Sequence, residues 1–200
     1  MLSRRLFAGR IVKLFLLFPV LGSTFVSVGC SVVSEIASYV GVGLQAFQIV
    51  VDILRVQGVI QAGVGTTIDV VIALVKAAFA DISAAVAAYE NAPSASKQTL
   101  LGKLSTAIAV AIAQIQKFWS DLKIPNAGLA ITIKDLLGVI LSVLAGFASQ
   151  LPAPASHPMI TEAATLPNKL AVLPKKMTTS EFRKEFNSIL DKNSLSDRHI

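Results

Sequence analysis

Apolar positions recur at alternating steps of three and four through most of this chain, and no stretch of any length alternates at steps of two. From Val33, the row Ile36, Val40, Gly43, Phe47, Val50 and Leu54 traces one face and predicts a first helix over about 32–56. Gly58, Gly63 and Gly65 then punctuate a connection. Thr66 with Asp69 three residues later has the spacing of a capping box and opens a second helix. Its seam, Ile68, Ile72, Val75, Phe79, Ile82, Val86 and Tyr89, keeps a 4-3 step over three heptads, as in helices packed nearly parallel to their neighbours. Asn91-Ala-Pro-Ser breaks the pattern. Leu101, Leu104, Ile108, Ala111, Ile115, Phe118 and Leu122 restore it, with Trp119 widening the stripe. Pro125-Asn126 stops and restarts the chain, and Leu129, Ile133, Leu136, Ile140, Val143, Phe147 and Leu151 carry a fourth seam.

The expected fold is therefore all-α, an up-down-up-down four-helix bundle over 30–151 that should fold without the segments flanking it. Five of the eight prolines fall between Pro152 and Pro174, predicting an extended linker over 152–176. Order returns at 177–200. There Thr178 and Glu181 form a second capping box, and Met177 is placed to staple onto Phe182. A short amphipathic helix should follow to about Asn193, with Phe182, Phe186, Ile189 and Leu190 on one side and Arg183, Lys184, Asp191 and Lys192 on the others. So short a helix is marginal alone. It is expected to dock on its own bundle, on a protein partner or on an anionic membrane surface, and those four apolar residues are the candidate partner-binding set.

The first 29 residues read differently. Arg4, Arg5, Arg10 and Lys13 are their only charges, and Leu14 to Val28 carries none, a positive region followed by an apolar one, as in a signal peptide. As a helix that apolar run measures about 22 Å, short of a bilayer's roughly 30 Å hydrocarbon core. Ser3-Arg4-Arg5-Leu6-Phe7 resembles the start of the twin-arginine export motif, with Arg4 and Arg5 as the arginine pair; Ala8 and Gly9 depart from its continuation. Val26-Ser27-Val28-Gly29-Cys30 is similar to a bacterial lipobox, with Ser27 where leucine is commonest. The resemblance implies a lipoprotein exported to the cell envelope, with Cys30 lipidated and anchoring the chain to a membrane. Ser31 after the cysteine resembles the sorting of outer-membrane lipoproteins.

Removing that segment changes the charge picture. Of eighteen Lys and Arg, four lie before Cys30, which leaves fourteen against twelve acids and removes the main support for nucleic-acid binding. A single cysteine forbids an internal disulfide.

Candidate chemistry is sparse. Gly41-Val-Gly43-Leu-Gln-Ala46 matches a dinucleotide fingerprint, but that motif works only between a strand and a helix. Two glycines that let a neighbouring helix approach is the simpler reading. His157 and His199 lack metal-ligand spacing and a nucleophile in a rigid element, so neither a metal, a cofactor nor catalysis is expected. The outward face of the second helix, by contrast, is Ala73, Ala77, Ala80, Ala84, Ala87 and Ala88, and the third helix adds Ala107, Ala109, Ala111 and Ala113. Such faces either serve helix propensity alone or make close contact with something apolar: a protein partner, a second copy, a lipid or the membrane. Three readings follow: a non-enzymatic, lipid-anchored binding bundle; a membrane-inserting helical protein, against which Lys76, Asp81, Lys134 and Asp135 weigh; and a bundle holding an apolar ligand among Phe47, Phe79, Phe118 and Phe147.

Overall fold

The computed structural model describes residues 21–60, 67–153 and 170–200. Five α-helices account for most of them: α1 (Leu21–Val56), α2 (Thr67–Glu90), α3 (Ser94–Asp121), α4 (Ala127–Ala148) and α5 (Thr179–Lys192), followed by a 3-10 turn at Ser196–Arg198. There is no strand among the described residues. Arg4, Arg5 and Thr66 lie outside them.

Connections are short, so successive helices run antiparallel. Arg55 near the end of α1 pairs with Asp69 in the first turn of α2 at 4.0 Å, and Lys97 in α3 sits over the Tyr89 ring at the end of α2. Tyr39, midway along α1, meets Phe147, late in α4, whereas Phe47, two turns further on, meets Phe118 near the end of α3. Thus α1 and α3 point one way, α2 and α4 the other, and α1 closes the ring against α4. Asn126 caps α4, its side-chain oxygen accepting from the Leu129 amide at 3.0 Å. Pro93, by contrast, opens α3 with no side-chain cap.

The seams predicted from spacing are the core. Val33, Ile36, Phe47, Val50 and Leu54 of α1, Val75, Phe79 and Ile82 of α2, Leu104, Ile108, Ile115 and Phe118 of α3, and Ile133, Leu136 and Ile140 of α4 are all buried. Helix α4 goes further: Leu137, Val139, Leu141 and Leu144 are also buried, so beyond the exposed Ile131, Lys134 and Asp135 it is covered on most sides, as so apolar a helix requires.

What covers it is the last part of the chain. Residues 170–177 run extended along the bundle as a strap, and α5 then packs back against α1 and α4. Phe182, Phe186 and Leu190 are each 0% exposed and belong to the same core. The bundle is therefore four helices plus a fifth short one. The core of the folded chain thus extends beyond residues 30–151, with α5 completing the α1–α4 groove.

Three further differences have simple causes. Helix α1 starts at Leu21 rather than near residue 32, since no helix breaker separates the apolar N-terminal run from the seam. Ala111 is buried as its place in the seam requires, but Ala113 is buried too and Ala107 and Ala109 are half-buried, because α3 also packs against neighbours on the side assigned outward. Of the two glycines, Gly41 faces open space. Only Gly43 is tight: a Cβ there would stand 2.8 Å from the Tyr39 ring and 3.1 Å from that of Phe79.

Candidate functional site

The strap and α5 form the one region where the sequence placed candidate binding residues and the structure brings them together with charge. Its start is pinned by an amide pair. The Gln116 side chain, 3% exposed, donates to the Leu170 carbonyl at 3.0 Å and accepts from the Leu170 amide at 2.8 Å. Two hydrogen bonds from one rigid amide hold an extended backbone against a helix as a partner strand would. Further on, the Lys175 amide donates to the Ser142 carbonyl at 3.0 Å. The Lys175 carbonyl lies so close to α4 that a Cβ on Gly146 would be 2.3 Å from it. Gly146 is what lets the strap lie flat.

At Met177 the chain turns. The expected capping box is present: the Glu181 amide donates to Thr178 Oγ1 at 3.2 Å, and the Thr178 amide donates to the Glu181 carboxylate at 2.8 Å. That backbone bond, then the Thr178 hydroxyl, and to a lesser extent the charge of Lys175, hold the Glu181 carboxyl below the usual carboxylate range. Ser38 and Thr179 share a hydrogen bond at 3.0 Å, and Lys176 reaches Glu35 at 4.0 Å, which ties the start of α5 to the middle of α1. At the far end Thr132 Oγ1 donates to Asn193 Oδ1 at 2.7 Å. His199 bonds Asp191 at 2.7 Å. A hydrogen bond from Ser196, then that from His199, lowers the Asp191 carboxyl.

Between these ties lies the apolar docking face. Phe182 is edge-on to Tyr39 at 5.0 Å, and Tyr39 in turn is edge-on to Phe147 at 5.5 Å and donates its hydroxyl to the Ile140 carbonyl at 3.3 Å. Phe182, Phe186 and Leu190 are thus seated in the chain's own groove, and Ile189 is half-buried beside it. An external partner would meet these rings only after α5 leaves. The strap's buried start and Gln116 were not singled out from sequence. The signal was there in Leu170 and Val172, apolar residues inside a linker, and in a glutamine on an otherwise apolar face of α3.

Outside the apolar face, two adjoining grooves follow α5. One, of about 520 Å³, is lined by Lys175, Lys176, Lys184 and Lys192 with Glu181 and Glu185. The other, of about 460 Å³, lies toward α4 and shares Lys175, Glu185 and Ile189 with it. The Lys175–Glu185 ion pair stands between them.

The remaining expectations map as follows. Position 30 lies within the backbone of α1. The six alanines named on α2 are all exposed, and Val70 and Leu74 extend their face, 55% and 39% exposed. Phe47, Phe79, Phe118 and Phe147 are packed as core, 4% exposed at most. Among the described residues no three His, Cys, Asp or Glu side chains gather as a metal site. Ser31–Val56 of α1, and α2, α3 and α4, are each long and apolar enough to cross a membrane by length and composition, which makes membrane association compatible with the fold.

No protein-family model matches the chain, and no curated protein or solved structure matches it either. What the fold defines is an all-α bundle whose body resembles no named family.

Proposed function

We propose that the chain is a non-enzymatic helical-bundle protein of a bacterial cell envelope, held on a membrane by a lipid at Cys30 and presenting its folded bundle at that surface. The observation that supports it is a contrast along the sequence. From Ser31 on, α1 buries one face and turns Ser34, Gln45, Gln48 and Asp52 outward, all exposed. Leu14 to Val28, just upstream, carries no charge. A polar outward row suits water, and an apolar segment ahead of it suits a membrane. Intact mass measurement of the protein extracted from membranes tests the reading. A cleaved chain whose first residue is acylated Cys30 is expected; an intact Met1, or an unmodified Cys30, overturns it.

A second reading has one observation in its favour, the four helices long enough to span. In that reading the bundle inserts. Lys76, Asp81, Lys134 and Asp135 are all exposed on its outside, and charge facing lipid near mid-span costs several kcal/mol. Alkaline carbonate extraction of the Cys30→Ser protein separates the two: release supports the anchored bundle, retention the inserted one. For a protein partner or a second copy, the uncovered alanine face of α2 is the surface on offer.

A further inference from the structure

We infer that the strap–α5 face is a docking surface for anionic phospholipid, with headgroup phosphates seated in the lysine-lined groove along α5. This rests on the membrane-anchored reading of the N-terminal segment. Four lysines and two carboxylates line the groove, and both carboxylates are already engaged. Glu181 accepts from the Thr178 amide and hydroxyl at 2.8 and 2.9 Å, and Glu185 pairs with Lys175. Among the described residues Lys184 and Lys192 have no carboxylate within 4.0 Å, and Lys176 has only Glu35, at that distance. The two unpaired ammonium groups are eight residues apart on one helix, about 12 Å along its axis. They form a positive row with the floor of the groove, Met177 and Ile189, apolar beneath it.

Position and shape agree with a bilayer as the occupant. The Glu35–Lys176 and Ser38–Thr179 ties put the groove's upper end beside the first turns of α1 after Ser31, where the apolar N-terminal segment meets the bundle. On the adjoining groove stands Leu173, 85% exposed, the most exposed large apolar side chain of the described residues, followed by Pro174 and the two lysines. An uncovered leucine next to paired lysines matches the boundary between acyl chains and headgroups: the leucine enters the apolar layer while the ammonium groups stay at phosphate level. Each lysine near an anionic surface contributes a roughly fivefold gain in binding.

The full chain in dodecyl maltoside micelles provides a test independent of the anchor. Dihexanoyl phosphatidylglycerol, dihexanoyl phosphatidylcholine and inorganic phosphate are titrated separately, and backbone amide shifts are followed. Phosphatidylglycerol is expected to shift the Lys184, Ser188 and Lys192 amides saturably, at least about tenfold more tightly than phosphatidylcholine. In K184E/K192E that affinity should fall by more than about 25-fold, the loss of two fivefold gains plus the repulsion of the introduced carboxylates. Both lysines are exposed, and an unchanged spectrum elsewhere verifies folding. Equal response to both lipids, or shifts confined to other elements, overturns the proposal. A response to inorganic phosphate as strong as that to phosphatidylglycerol also overturns it, by assigning the groove to free anions. None of these outcomes depends on whether Cys30 is acylated.

Discussion

Replacing Phe182 by alanine removes a fully buried ring that Tyr39 meets edge-on at 5.0 Å and Phe186 flanks at 5.7 Å. Deleting such a ring costs about 3–5 kcal/mol, of which the aromatic pairing is about 0.5–1.5 kcal/mol. Where that loss appears depends on how α5 is held. A helix of 14 residues is marginal without its docking contacts, so the loss should fall on the equilibrium between docked and undocked tail rather than on the whole bundle. A loss of about 3 kcal/mol raises the undocked population about 150-fold. Native-state hydrogen exchange on the full chain reads this directly. Amides of residues 183–192 are expected to exchange at least about a hundredfold faster in Phe182→Ala, while those of the α2–α3 hairpin keep their rates. Exchange in α5 within about threefold of the parent refutes the seating of the ring. An equal acceleration in every helix refutes the idea that the tail opens separately.

Three other perturbations probe the same region. Gly146→Ala drives a methyl group against the Lys175 carbonyl, a backbone atom that cannot move without lifting the strap; thermal melts should show a loss of about 1–3 kcal/mol, larger than for Gly41→Ala, where space is open. Gln116→Ala leaves the buried amide and carbonyl of Leu170 unpaired, at about 1–3 kcal/mol, and should also speed exchange of the Lys175 amide that donates to Ser142. Acid should loosen the start of α5. Because the folded Glu181 carboxyl titrates below its unfolded value, its stabilising effect is full above the ordinary glutamate range near pH 4.3 and is lost as pH falls through the lower folded value. Helical Cα shifts at residues 179–182 should therefore decline on acidification in the parent and stay pH-independent in Glu181→Gln.

The four seams were legible because an apolar residue at every third or fourth position has one physical use in a packed helix, and Phe47, Phe79, Phe118 and Ile140 serve it. The tail helix was legible too, down to Thr178 and Glu181, since a capping box is a local arrangement that needs no tertiary partner. Its destination was not. Phe182 and Phe186 could as well have faced another protein; what decides is the α1–α4 groove around Tyr39 and Phe147, whose shape no local pattern encodes. The same reason hid the strap: Leu170 reads as a stray apolar residue until Gln116, far away in sequence, is brought beside it. On α3, periodicity identified the seam, Ala111 included, but a helix flanked on several sides has little outward face to assign, and Ala113 fell on the wrong one.

The tie between Ser38 and Thr179 spans 141 residues of chain. Because α1 and α4 complete their shared groove only with α5, a ribosome making this protein releases all four long helices before the segment that seals them emerges. Until then Tyr39 and Phe147 border an open apolar trench, and loop closure over so long a span is slow compared with forming the α2–α3 hairpin. The nascent chain thus passes through a stage with its central helices formed and one side unsealed. That stage is when a holding chaperone would find it, and when premature termination ahead of Thr178 would leave a product prone to stick to its own copies.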